Sequence, residues 1–259
     1  MFCLHRFGTQ YYFLSHLKAK KNSIQDCFYV SVERHDNPNL NGKKIIICPT
    51  NNLQTSSLIK STSEVASASY EARRCGVKSR MFVKDAFRLC PDAVFLPCNY
   101  KRYEEASDLF YEVLLKFTRK IQPMSADEAV LDFSLCGLSE MEPLLPEIRS
   151  QILAATGCPS SAGVGENLLL AKLATRKAKP NGQFIVHPHE VSSFLADIPV
   201  SELPKVGEVT TSRLKQQNIH TIADLSAQSL VFPPFSFSFL QIHFLILLLH
   251  SGGSSTGLW

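Results

Sequence analysis

The tightest constraint on the fold lies between residues 121 and 186, where short strand-like runs alternate with longer helical ones. Pro123-Met-Ser-Ala-Asp-Glu-Ala-Val-Leu-Asp132 interrupts two short strand signals, as a hairpin does. A helical period follows at Leu145, Ile148, Ile152 and Leu153, with Gly157 as its stop. Residues 160–165 then read as a strand, 168–177 as a helix and 183–186 as a strand. Upstream, Tyr103, Ala106, Phe110, Val113, Phe117 and Ile121 mark one helical face. Glu104 and Glu105 stand near its start and Arg119 and Lys120 near its end, the charge order that suits a helix dipole. Residues 24–32 and 44–48 are rich in the β-branched and aromatic residues of strands. This succession predicts an α+β protein with a ferredoxin-like layer: one largely antiparallel sheet with helices on one face.

Composition narrows the function classes. The 259 residues are 45% hydrophobic and 19% charged, which fits a globular chain and excludes a disordered or fibrous one. A net charge of +4 is compatible with a polyanionic partner without requiring one. The eight cysteines contain no C-x-x-C pair, and His187-Pro-His189 stands far from all of them, so buried thiols are expected rather than a zinc site. The first 23 residues have no clear period, and no acid precedes Asp26. Residues 230–259 contain no Asp, Glu, Lys or Arg. The apolar run at 239–249 is about half the roughly 20 residues that span a bilayer, so no membrane association is expected.

Asp127-Glu128 carries the most chemical content. Adjacent carboxylates at a hairpin tip can reach a common hard cation, and a pair of such cations is suited to joining a primer hydroxyl to a nucleoside triphosphate. An isolated Asp-Glu pair is ordinarily a solvated turn; the surrounding string changes that. Ser125-Ala-Asp-Glu-Ala-Val-Leu-Asp132 resembles the S-x-D-E-A-x-L-D hairpin of Y-family translesion DNA polymerases. Four further strings follow the family's order: Asp26-Cys-Phe-Tyr-Val-Ser-Val32; Ser67-Ala-Ser-Tyr-Glu-Ala-Arg73 with Gly76-Val-Lys78; Ser161-Ala-Gly-Val-Gly165; and Ala174-Thr-Arg-Lys-Ala-Lys-Pro-Asn-Gly-Gln183. Asp26-Cys-Phe-Tyr, Met81-Phe82 and Leu89-Cys-Pro91 are most similar to the Rev-type deoxycytidyl transferases.

The resemblance implies a palm at 24–48 and 101–190, fingers at 49–100 and a partial thumb at 191–229, flanked by atypical segments at 1–23 and 230–259. It implies Asp127 and Glu128 as catalytic metal ligands, with Asp26 as a third candidate, and Mg2+ or Mn2+ as the cofactor. Tyr70, Arg73, Ser67 and Lys179 would hold a deoxynucleoside triphosphate, dCTP in the Rev-type branch. A forked guanidinium suits phosphate oxygens, and lysine adds a point charge. Tyr29 would stand against the sugar. Lys205, Val206 and Gly207, within Leu203-Pro-Lys-Val-Gly207, resemble the thumb's helix-hairpin-helix contact to primer-template DNA. Arg73, Arg74, Lys78, Arg80, Lys84 and Arg88 would give the fingers a basic face. A nuclear role in damage tolerance, with other repair polymerases as partners, is the matching cellular expectation.

Two departures stand out. Where the family's first strand carries Asp-x-Asp, the first position here is Ile24, which cannot ligate a cation. The alternative expectation is therefore a DNA-binding or scaffold fragment with impaired catalysis. No counterpart of the Rev-type template arginine precedes residue 24, and Arg6 is given no such role. The resemblance ends inside the thumb, so no little finger is expected.

Overall fold

The computed structural model describes residues 11–15, 27–133, 138–203 and 206–227, with 11–15 as backbone only. A five-stranded sheet organises the molecule. Its strands are β1 (Tyr11–Ser15), β5 (Ile121–Ser125), β6 (Glu128–Leu131), β7 (Ser161–Gly165) and β8 (Gln183–Ile185), in the order β5-β6-β1-β7-β8. All neighbours are antiparallel except β7 and β8. The parallel pair needs a crossover, which α7 (Leu168–Ala178) supplies. This is the expected α+β layer.

Two long helices, α5 (Tyr100–Leu115) and α6 (Leu138–Thr156), pack side by side against the sheet. Phe110, Val113 and Leu114 of α5 and Met141, Leu145, Ile148 and Ile152 of α6 are buried with Ala129, Leu131, Ala162 and Val164 of the strands. The helical period read at Leu145 and beyond is thus a core face, and Gly157 ends α6 at φ +66, where only glycine is unstrained. Gly163 and Gly165 alternate with Ala162 and Val164 along β7, and α7 crosses them closely. A Cβ on Gly163 would meet the Thr175 backbone nitrogen, the Thr175 hydroxyl and the Ala171 carbonyl well inside 3.0 Å.

A smaller sheet in the order β3-β2-β4 is built from β2 (Ile45–Cys48), β3 (Ser67–Ala68) and β4 (Val94–Pro97). It packs with α2 (Thr55–Leu58), α3 (Tyr70–Arg74) and α4 (Val83–Leu89) around Ile46, Leu58, Val65, Ala72, Val83 and Phe95. At the other end, α8 (Val191–Ala196), α9 (Glu208–Gln216) and α10 (Ile222–Ser226) enclose Leu195, Val200, Leu203, Leu214, Ile222 and Leu225 against Leu169, Leu170 and Leu173 of α7. Thr221 and Asp224 form a reciprocal capping box at the start of α10. The six described cysteines are thiols, and burial pushes Cys48 up to about 11 and Cys158 up to about 12.

Two expectations are corrected. The sheet's central strand is β1, not residues 24–32; Phe28–Asp36 instead forms α1. Tyr-Tyr-Phe-Leu is a continuous apolar run without the alternation that would have marked it as a strand. With the central slot filled, tertiary packing overrides the β propensity of Phe28-Tyr-Val-Ser-Val32. The face read through Phe117 and Ile121 also stops early. α5 ends at Leu115, Arg119 and Lys120 lie beyond it, and Ile121 opens β5.

Candidate active site

The hairpin between β5 and β6 delivers both acids. Asp127 occupies the turn and Glu128 is the first residue of β6, and they are only 2% and 8% exposed. Ser125 holds the turn, its hydroxyl donating to Asp127 Oδ1 at 2.5 Å. Tyr111 of α5 donates its hydroxyl to the Ser125 carbonyl at 2.6 Å and faces the Glu128 carbonyl at 3.1 Å. Sequence reading missed this tyrosine. Burial, with the anions of Asp127 and Glu128 beside it, pushes its phenol up to about 12.

Burial also raises the Glu128 carboxyl, against the opposing pull of Lys172, Lys179 and Arg176. These three cations project from α7 and its C-cap, and the glycines of β7 are what let α7 lie so close. Lys179, the C-cap of α7, is one of the cations whose charge acts on the Glu128 carboxyl. The turn beyond it is tied down by Arg149 of α6. Arg149 donates to the Ser160 carbonyl at 2.9 Å, to Gln183 Oε1 at 3.0 Å, and to the carbonyl and Oδ1 of Asn181 at 2.5 and 2.8 Å. Asn181 adopts φ +46. Arg149, too, was not legible in the sequence.

The other expected groups gather around α1 and α3. Ser69 caps α3 through its side chain, accepting from the Ala72 nitrogen at 3.2 Å. Tyr70 and Arg73 share a face, the guanidinium carbon 5.7 Å from the Tyr70 ring centre. Arg73 Nε and the Cys27 thiol both donate to the Ala68 carbonyl at 2.9 Å, which joins the start of α1 to β3. Tyr29 lies in the first turn of α1 rather than on a strand, and it packs in the same apolar cluster as Tyr70. Ser67 is inside β3 at 5% exposure, more enclosed than a ligand-facing hydroxyl would suggest. Arg74, Lys78, Arg80 and Arg88 are exposed on the smaller α/β lobe.

Asp26 and Lys205 fall outside the described residues; Val206 is half-buried and Gly207 exposed ahead of α9. Among the described residues no group of three or more His, Cys, Asp or Glu converges as a metal site. The β1 residue in register with Glu128 is Ser15, and Tyr11–Ser15 carries no acid.

The comparisons agree with this architecture. The model of the impB/mucB/samB family matches residues 25–176. The chain is 44% identical over 211 residues to the DNA repair protein REV1 of Arabidopsis thaliana, covering 80% of this chain and 19% of that protein. It is 39% identical over 208 residues to DNA polymerase IV of Stenotrophomonas maltophilia, covering 80% of this chain and 55% of that protein. Among solved structures, an insertion ternary complex of Dbh DNA polymerase superposes with a TM-score of 0.77 at 28% identity, covering 95% of this chain and 68% of that one. DinB from Sulfolobus solfataricus gives 0.76 at 28% identity, covering 93% and 66%.

A five-stranded sheet with a buried acid pair at a hairpin tip, flanked by a small α/β lobe and a helical lobe, is the architecture this chain shares with the solved Dbh and DinB polymerases. The chain belongs to the impB/mucB/samB family of Y-family DNA polymerases. It spans about half the length of the bacterial relatives and about a fifth of the plant one.

Proposed function

We propose that the chain performs template-directed nucleotidyl transfer, adding deoxycytidine monophosphate to a primer opposite damaged template. In that reaction the primer 3′ oxygen forms a bond to the α-phosphorus, the bond to pyrophosphate breaks, and the hydroxyl proton departs. The observation that carries the reading is the buried Asp127-Glu128 pair, with Lys172 and Lys179 of α7 and its C-cap close enough for their charge to act on the Glu128 carboxyl. A buried pair of hard oxygen donors beside a cationic helix fits Mg2+, with Mn2+ as a substitute, as the group between carboxylate and triphosphate. Bound there, the cation would lower the hydroxyl's pKa and neutralise phosphate charge. The protein's own part is positional: Arg73 and Lys179 hold the phosphates, Tyr70 lies beside Arg73, and Tyr29 faces the sugar.

A second reading has its own support. Ser15, the β1 residue in register with Glu128, supplies no carboxylate, so the cations would be held by fewer anionic groups. On that reading the chain binds primer-template DNA and catalyses poorly.

Primer extension with each of the four deoxynucleoside triphosphates tests the first proposal. Preferential addition of cytidine, abolished by Asp127→Ala with Glu128→Ala, is the expected result. Salt-sensitive DNA binding without extension, even in manganese, would favour the second.

A further inference from the structure

We propose that Tyr103 is a positioning residue that sets the sugar selectivity of the nucleotide site by holding the ring of Tyr29. This rests on the reading of Tyr29 as the residue against the incoming sugar.

Tyr29 sits in the first turn of α1, where an aromatic side chain turns about two bonds. A ring excludes a 2′-hydroxyl only if it cannot swing away from it. The Tyr103 ring lies parallel to that of Tyr29, with centres 4.1 Å apart and planes 11° from each other. This stacked contact fixes the plane of Tyr29 and the side from which it is backed.

Tyr103 is itself held firmly. It is 2% exposed, and its hydroxyl donates to Glu33 Oε1 at 2.8 Å. Glu33 lies four residues after Tyr29, so both points of contact fall on one face of α1. Tyr100 meets Tyr103 edge-on at 6.3 Å, and the tilted ring of Phe28 lies 6.4 Å away. One residue earlier on α5, Arg102 grips Asp36 of α1 through two bonds of 2.7 and 3.0 Å. The start of α5 is thus locked to α1 at both levels, and the Tyr103 plane passes that rigidity to Tyr29. A residue serving only the core would contribute stability and leave sugar preference unchanged.

The test is equilibrium binding of dCTP and of CTP, with Mg2+, to the full chain on a dideoxy-terminated primer annealed to template guanine. The wild-type chain should prefer dCTP, and Tyr103→Leu should reduce that preference about tenfold by tightening CTP binding. Tyr103→Phe, which keeps the stack and loses the Glu33 bond, should retain the preference. Tyr103→Met fills a similar volume without a plane and serves if the leucine variant unfolds; it should behave as leucine does. Tyr29→Ala separates the positioning role of Tyr103 from the sugar-facing role of Tyr29. If it relaxes the preference while Tyr103→Leu and Tyr103→Met do not, the positioning role is overturned and the sugar-facing reading stands. If Tyr29→Ala changes nothing, both are overturned.

Discussion

The Tyr111 hydroxyl reaches from α5 to within 3.1 Å of the Glu128 carbonyl oxygen, and so ties a core helix to the backbone that carries the second acid. Its 2.6 Å bond to the Ser125 carbonyl closes the other side of the same turn. Tyr111→Phe would leave two partly buried carbonyls without this donor, at a cost of about 1–3 kcal/mol. The expected outcome is a lower melting temperature with an unchanged circular dichroism spectrum. Primer extension, where measurable, should fall through kcat more than through KM, because the acids rather than the nucleotide contacts are displaced.

Gly163 is where the crossover helix meets the sheet. A methyl group there has nowhere to go, since the atoms it would strike are mostly backbone. Gly163→Ala should destabilise the chain by about 1–3 kcal/mol through forced separation of β7 and α7. Thermal unfolding gives the stability change. Nucleotide affinity should fall as well, because Lys179 is the C-cap of that helix.

Burial holds the Glu128 carboxyl above the ordinary glutamate value in the absence of a divalent ion. Between the unfolded and folded pKa values the native state then binds the extra proton. The linkage sign follows: stability falls as pH rises through that window. Glu128→Gln should raise the melting temperature near neutral pH and flatten its decline over the window. Equal pH profiles for variant and wild type would contradict the burial of that charge.

Arg149 spans three segments, and its four hydrogen bonds fix the turn that follows Lys179. Arg149→Ala should cost about 2 kcal/mol in stability. It should also weaken dCTP binding several-fold, while Arg149→Lys recovers part of the stability and less of the binding, since lysine lacks the planar fork.

The parts of this architecture that sequence exposed are those whose signal is local. The Ser125–Asp132 string specified a hairpin with its acids at the tip, and the spacing of Leu145, Ile148 and Ile152 gave the buried face of α6. Gly157 marked a helix end because its φ is positive there. What escaped was set by tertiary context. β1 carries no motif and no alternation, and it is recognisable only by the slot between β6 and β7 that it fills. Tyr29 was placed on a strand because its neighbours have strand propensity, which packing overrode. Tyr111, Arg149 and Tyr103 act on groups 14, 32 and 70 residues away, and no spacing rule reaches that far.

The central claim is that the Asp127-Glu128 pair and the Arg73-Lys179 cations serve one triphosphate. Its most direct test is dCTP affinity with and without Mg2+ for the wild-type chain, Asp127→Asn and Arg73→Ala. The account predicts that Mg2+ tightens binding about tenfold or more in the wild type, that Asp127→Asn loses this enhancement, and that Arg73→Ala weakens binding with the ion present. Nucleotide binding indifferent to Mg2+ and unchanged in both variants would contradict it.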